Sequence, residues 1–290
     1  MNILKQHWFI FAIICLVVML VIVFGLFLYN NCFYAQRVLK AIENEDIVQL
    51  EKLMKQPLGN LNCKPTLWII EVLSETMEPT PLQAACNLGN PKIVAMLLEN
   101  GADVNYTHWD KSRDLGSPLI NAAGSLSNER LQVIKLLIDY GANVNYESVT
   151  GNDVLSCAVY ASKWHNDTID VIEYLEQEGI NIYKKYSETD NTLLHKACEC
   201  DSLRVIQYLI EQRGFDVNAV NADGDTPLIY FLRFASKREK DTLLYLVQAG
   251  ADLTIQNNEG KTAYDYAVER HPEFIGDDGT FGGQGHTPAS

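Results

Sequence analysis

One segment of this chain, Thr80 to Asn105, reads TPLQAACNLGNPKIVAMLLENGADVN and returns several times along it. Its start aligns at Thr80, Ser117, Asp153, Thr192, Thr226 and Thr262, in steps of 34 to 39 residues. Its exit aligns at Gly101–Asn105, Gly141–Asn145, Gly179–Tyr183, Gly214–Asn218 and Gly250–Thr254. Self-similarity at such a period predicts stacked units, each touching only its neighbours, rather than one globular core.

The unit itself explains why it folds as two helices. Thr80 can accept a backbone N–H at a helix start, and Pro81 suits the first turn because it has no donor to lose. Leu82, Ala84 and Ala85 offer a small-residue face for a close neighbour, and Asn87 to Pro91 breaks the chain. Ile93 to Leu98 supplies the second apolar helix, which Gly101 ends in a left-handed conformation before Asp103–Asn105 begins an extended turn.

These residues resemble the ankyrin repeat, with its TPLH helix start, mid-repeat glycine and closing GADVN. The match is fullest over 80–105 (TPLQ, Gly89, GADVN), then 192–218 (TLLH, FDVN) and 226–254 (TPLI, GADLT). The unit from Ser117 carries SPLI and GANVN, the unit over 153–183 is degenerate, and Thr262 opens a partial repeat that reads as the C-terminal cap. The resemblance implies an all-α solenoid over 79–275 whose role is to bind another protein, not to catalyse. It also implies that turn tips and the exposed ends of the first helices make the contacts.

Around this body the chain reads as a leader (1–7), a membrane span (8–29), capping helices with an insert (33–78) and a Gly-rich tail (276–290) expected to be disordered. Trp8–Tyr29 holds 22 residues and no charge. As a helix it would reach roughly 33 Å at 1.5 Å per residue, enough for a hydrocarbon core of about 30 Å. Trp8 and Tyr29 stand where aromatic rings favour the lipid interface. Phe27–Asn31 lacks the small residues of a cleavage site, so an uncleaved single-pass anchor in the bilayer is expected. The acid-free leader with Lys5 favours the repeats outside the cytosol, and a bacterial inner membrane is the bilayer expected. Between this span and the repeats, Tyr34–Glu43 and a helix capped near Asp46, with Ile47, Leu50, Leu53 and Met54 on one face, form the N-terminal cap. The apolar run Leu67–Leu73 covers the first edge or offers a docking patch.

The formal charge of −14 lies wholly beyond residue 31 and argues against nucleic acid, whose phosphates require basic surface. No phosphate-cradling loop, paired-carboxylate signature or cofactor motif is present, so neither a small-molecule substrate nor a cofactor is expected. His195, Cys198 and Cys200 have the spacing of half a metal site, but structural zinc takes four ligands and no second pair is evident. A metal-binding or catalytic protein built on these three is one alternative; a self-associating membrane scaffold is another. Cys86 and Cys198 share one repeat position and read as small buried residues.

The departures from the repeat direct attention to a partner surface. Helix start to glycine takes 21 to 26 residues, with the surplus at Ser125–Asn128, Ser162–Asp167, near Arg213 and at Ser236–Lys240. The turn Tyr106–Gly116 is also long. Insertions on one face of a solenoid often belong to its binding side. Trp, Tyr and Arg are the residue types most often found as hot spots. Trp109, Tyr160, Trp164 and Phe234, with Arg113 and Asp114, are therefore the candidate contact residues, and Glu188, Asp190, Asp223 and Asp225 a rim for basic groups. A toxin or secreted effector, with this chain as its inhibitor or immunity protein, is one partner the tethered acidic solenoid would suit.

Overall fold

A computed structural model describes residues 16–19, 34–56, 61–62, 79–107, 116–234 and 240–276. Helices follow one another in pairs: α1 (34–43) with α2 (Ile47–Met54), α3 (Pro81–Leu88) with α4 (Pro91–Glu99), α5 (Pro118–Gly124) with α6 (Arg130–Asp139), and α7 (Val154–Ala161) with α8 (Thr168–Gln177). Then come α9 (Leu193–Glu199) with α10 (Leu203–Gln207), α11 (Pro227–Phe234) with α12 (Lys240–Gln248), and α13 (Ala263–Arg270), closed by a 3₁₀ turn at Pro272–Phe274. First helices stack on first helices from α3 to α13. The all-α solenoid is therefore the observed fold.

Each first helix starts where the sequence places its cap. Thr80, Ser117, Asp153, Thr192 and Thr262 accept from the backbone N–H three residues on, and Thr226 does the same for Ile229 at 3.3 Å. The buried alanines Ala85, Ala122, Ala158, Ala197 and Ala267 bring these helices together, and Phe231 fills the equivalent place in the fifth unit. On the second helices Leu97, Leu137, Leu175, Leu209 and Leu246 are all fully buried. Each contributes on the order of 1.5–3 kcal/mol. Gly89 shows why a glycine closes α3: its φ is +72°, and a Cβ there would lie 2.2 Å from Cβ of Ser127 in the next unit.

The closing asparagine of a unit is a rivet to the next. Asn105 donates to the Gly141 carbonyl at 3.0 Å and accepts from Asn143 N–H at 2.7 Å; Asn218 repeats this with Gly250 at 3.1 Å and Asp252 at 2.8 Å. In the degenerate unit Tyr183 stands at this position and its hydroxyl donates to the Arg213 carbonyl at 3.0 Å, its ring stacked on Phe215. Asn105→Ala removes two exposed hydrogen bonds at about 0.5–1.5 kcal/mol each. Urea denaturation is expected to show a loss of about 1–2 kcal/mol, with the same slope as the parent.

The same rivet continues into the N-terminal pair. Asn62 accepts from Asp103 N–H at 2.7 Å, so Leu61–Asn62 is the exit of a unit formed by α1 and α2. Within that pair Asp46 caps α2 through Gln49 N–H, and Leu50 and Leu53 are buried. Surplus residues are absorbed locally. The one near Arg213 becomes a π-turn, Tyr208–Gln212, at the end of α10.

Among the described residues no helix is long and apolar enough to cross a membrane. The expected span 8–29 lies outside the described residues except for 16–19, which are helical with exposed side chains. The leader, the run Leu67–Leu73, the greater part of the turn Tyr106–Gly116, residues 235–239 of the fifth unit's insert and nearly all of the tail also lie outside them.

Candidate functional site

First helices and turn tips form the two walls of a groove. Asn87, Asn121, Gly124 and Cys157 reach it from the first helices, and Ser148, Thr150 and Asn152 from the turn between α6 and α7. Along the first helices the groove positions change from small at Ala84, Asn121 and Cys157 to large at Lys196 and Tyr230.

Of the candidate contact residues, the structure brings Tyr160 and Trp164 together. Tyr160 ends α7, Trp164 stands in the insert behind it, and their rings meet edge to face with centroids 5.6 Å apart. They are 55% and 56% exposed, which is unusual for paired large aromatics. Lys163 lies over the Tyr160 ring at 5.3 Å. Phe234 is exposed at the end of α11, packed on Tyr230 at 4.6 Å, with Arg233 over its ring at 4.9 Å. Two repeats separate it from Tyr160, roughly 20 Å at 8–10 Å between helix axes. Lys196 and Glu199 stand between them, paired at 3.5 Å. Trp109, Arg113 and Asp114 lie outside the described residues.

Several residues at the ends of first helices and in the turns serve the scaffold instead. Ser125, Ala161 and Cys200, at the ends of α5, α7 and α9, are buried. Ser125 donates to the Asn87 carbonyl at 2.8 Å and Ser127 to Gly89 at 3.0 Å, so this insert staples unit to unit. Asp225, expected on the acidic rim, is fully buried: Arg233 and Asn257 hold its carboxylate, and burial raises its pKa. Glu188, Asp190 and Asp223 are exposed.

Sequence reading missed the anchor of the third unit's insert. Arg130 is completely buried at the start of α6. Its Nε donates to Asp167 at 2.9 Å, Nη2 to Thr168 Oγ1 at 2.7 Å and Nη1 to the Ala123 carbonyl at 3.1 Å. Asp167 ends the insert that carries Trp164, and Arg204 ties that insert from the other side by donating to the Asn166 carbonyl at 2.7 Å. A charged residue 37 positions from its partner leaves no local signal; only the repeat register could have placed the two side by side.

The histidine–cysteine cluster does not assemble a metal site. Both His195 nitrogens are committed: Nδ1 accepts from the Thr192 hydroxyl at 2.8 Å and its N–H at 3.2 Å, while Nε2 donates to the Asp225 carbonyl at 3.0 Å. Burial lowers its pKa to about 4, against a small opposing effect of the Asp225 carbonyl and aided by Lys185 and Lys196. Burial also raises the Cys198 thiol well above its ordinary value, and that of Cys200 to about 11. Among the described residues no three His, Cys, Asp or Glu side chains are placed to hold an ion.

Comparison with known proteins bears on what this groove is. A family profile for ankyrin repeats in three copies matches residues 158–257 and 194–275, and one for the single ankyrin repeat matches 80–109, together just over half of the chain. Alpha-latrocrustotoxin-Lt1a of Latrodectus tredecimguttatus is 31% identical over 217 residues, covering 72% of this chain but 14% of that protein. The ankyrin repeat domain of human ASB11 superposes with a TM-score of 0.62 at 25% identity, covering 80% of this chain and 92% of that one. A chain from the solved complex of the Bdellovibrio bacteriovorus predatory endopeptidase Bd0816 with immunity protein Bd3460 superposes at 0.51 and 25% identity, over 66% of this chain and 92% of that one.

Proposed function

This chain belongs to the ankyrin-repeat family, and on that premise we propose that it is a non-catalytic protein-binding solenoid whose partner docks on the groove at the Tyr160–Trp164 ledge. The observation that carries this reading is the pair itself: two large rings, packed on each other, rigidly anchored, and more than half exposed. Such amphipathic anchors cost little entropy on binding and dominate interface energies. Phe234 and Arg233 extend the surface along the stack, with Trp109, Arg113 and Asp114 added from the long first turn.

The partner is a toxin or secreted effector, and the chain acts as its inhibitor. The similarity to a chain from a complex of an endopeptidase with its immunity protein supports this. Residues 8–29 tether the solenoid to a bilayer, in a bacterial inner membrane with the repeats outside the cytosol. Support comes from the uncharged 22-residue stretch and the exposed apolar side chains of Leu16, Val17, Val18 and Met19 within it. A tether raises the effective concentration of the domain for partners at the same surface.

Purification of the full chain from detergent extracts should recover one partner, and Trp164→Ala should weaken that interaction by about 2 kcal/mol, roughly 30-fold. Because Trp164 is exposed, its unfolding midpoint in urea should barely move. Equal recovery by the parent and by a Trp164→Ala, Phe234→Ala double variant would exclude the ledge. Release of the chain from membranes by alkaline carbonate would exclude the anchor.

A further inference from the structure

One feature of the groove is left unused by the aromatic ledge. Beside it, at the small-residue end of the series, lies a depression of about 270 Å³, just below the roughly 300–1,000 Å³ typical of small-molecule pockets. A fifth of this chain's residues are charged, yet none of the described residues lining the depression is. Asn87 and Asn121 reach it from α3 and α5, Thr150 and Asn152 from the opposite turn, and Gly124 and Cys157 form part of its wall. The turn residues are fixed among themselves: Asn152 Nδ2 donates to Thr150 Oγ1 at 3.0 Å, and Thr150 meets Ser148 at 2.9 Å. That leaves the side-chain oxygen of Asn152, Oδ1, to face a ligand.

We propose that this depression is a specificity subsite that takes an uncharged carboxamide side chain, Asn or Gln, from an extended segment of the partner. The inference rests on the groove being the partner surface. Carboxamides both donate and accept, so Asn87, Asn121 and Asn152 can satisfy another carboxamide completely. A carboxylate or ammonium would give up hydration there and meet no opposite charge among the described lining residues. Among the described residues no aromatic ring lines the depression to stack on a sugar face. Cys157 and Tyr160 lie on one helix, about 4.5 Å apart along its axis at 1.5 Å per residue. An extended peptide places alternate side chains about 6.6 Å apart, so one residue can enter the depression while another rests on the ledge.

Gly124 supplies the test. Its backbone needs no left-handed conformation, and a Cβ there would meet only Cβ of Cys157, at 4.0 Å. Gly124→Leu should therefore fill the depression without disturbing the helix stack; far-UV circular dichroism checks that, and Asn121→Leu serves as a second filler. Saturation-transfer NMR on the full chain in detergent micelles would use N-acetyl-glutamine-N-methylamide, the matching glutamate and lysine probes, and methyl glucoside. The glutamine probe should receive at least fivefold more saturation at its side-chain protons than the charged probes. It should lose that signal in Gly124→Leu and keep it in Trp164→Ala. Equal signals from the glutamate or lysine probe, a stronger signal from methyl glucoside, no signal from any probe, or a glutamine signal that survives both fillers would overturn the proposal. A partner lost by Trp164→Ala yet bound normally by Gly124→Leu would sink this subsite and leave the ledge standing. Probe binding without any effect of Trp164→Ala on the partner would do the reverse.

Discussion

Arg130→Met is expected to lower the unfolding free energy by about 3 kcal/mol, the largest loss from any single polar side chain of this solenoid. Breaking a buried ion pair by removing one member typically costs about 3–5 kcal/mol. The lower end applies because Asp167 is a quarter exposed and so remains partly hydrated. Its carboxylate also precedes α8 without capping it, so it can turn to the free N–H groups of that helix when the guanidinium is gone. Thr168 Oγ1 and the Ala123 carbonyl lose their donors as well. Asp167→Asn should be nearly as harmful, because it leaves a cation that cannot deprotonate fully buried. The two substitutions together should cost about 1–3 kcal/mol less than their sum, as expected of residues in direct contact. Urea denaturation of the two single variants and the double variant provides the check. Additive losses would mean that the pair is not coupled. Because Asp167 ends the insert bearing Trp164, hydrogen exchange over 162–168 should quicken in Arg130→Met more than exchange in α11.

The second large effect concerns acid. His195 is neutral in the fold, with its pKa near 4 against an ordinary 6.5 because burial disfavours the imidazolium. A folded-state pKa below the unfolded one means that its contribution is complete above about pH 6.5 and is lost as pH falls towards 4. With 1.36 kcal/mol per pKa unit, the loss is about 3 kcal/mol over that window. Carboxylates titrate in the same range, so the parent's curve alone does not isolate this effect. The chain contains its own control: Gln83 holds the same repeat position. Its Oε1 accepts from Thr80 N–H at 2.9 Å and its Nε2 donates to the Gly116 carbonyl at 2.8 Å, the same two bonds that His195 makes. His195→Gln should therefore be close to the parent in stability at pH 7 and lose about 3 kcal/mol less between pH 6.5 and 4. Urea titrations at several pH values read this out; parallel curves for the two proteins would show that His195 does not titrate across the fold.

These residues also show what was legible beforehand. Helix starts at Thr80, Thr192 and Thr262 and the glycine exits carried the fold because capping and left-handed turns act within a few residues, where sequence is informative. Tyr160 and Trp164 were legible as exposed aromatics, one from its helix register and one from its loop. What stayed hidden was contact between units. Asn62 was not read as an exit because Gly59–Asn62 matches the closing motif only weakly, and its role is fixed by a partner 41 residues away. Arg130 reads as a surface charge until Asp167 is placed beside it, and Asp225 reads as a rim residue until Arg233 and Asn257 close over it. Inserts looked like binding loops, yet Ser125 and Ser127 show that extra residues can be used to fasten repeats together.

Site-specific photocrosslinking tests the central claim, that a protein partner occupies the groove, most directly. A benzophenone amino acid would replace Tyr160 on the ledge or, in a separate chain, Tyr140, which is 44% exposed at the end of second helix α6. Irradiation of intact cells expressing each form should yield one discrete crosslinked protein from position 160 and none from position 140, and Trp164→Ala should weaken the band. A crosslink from position 140 but not 160, or no protein crosslink at either, would contradict a partner held at the Tyr160–Trp164 ledge.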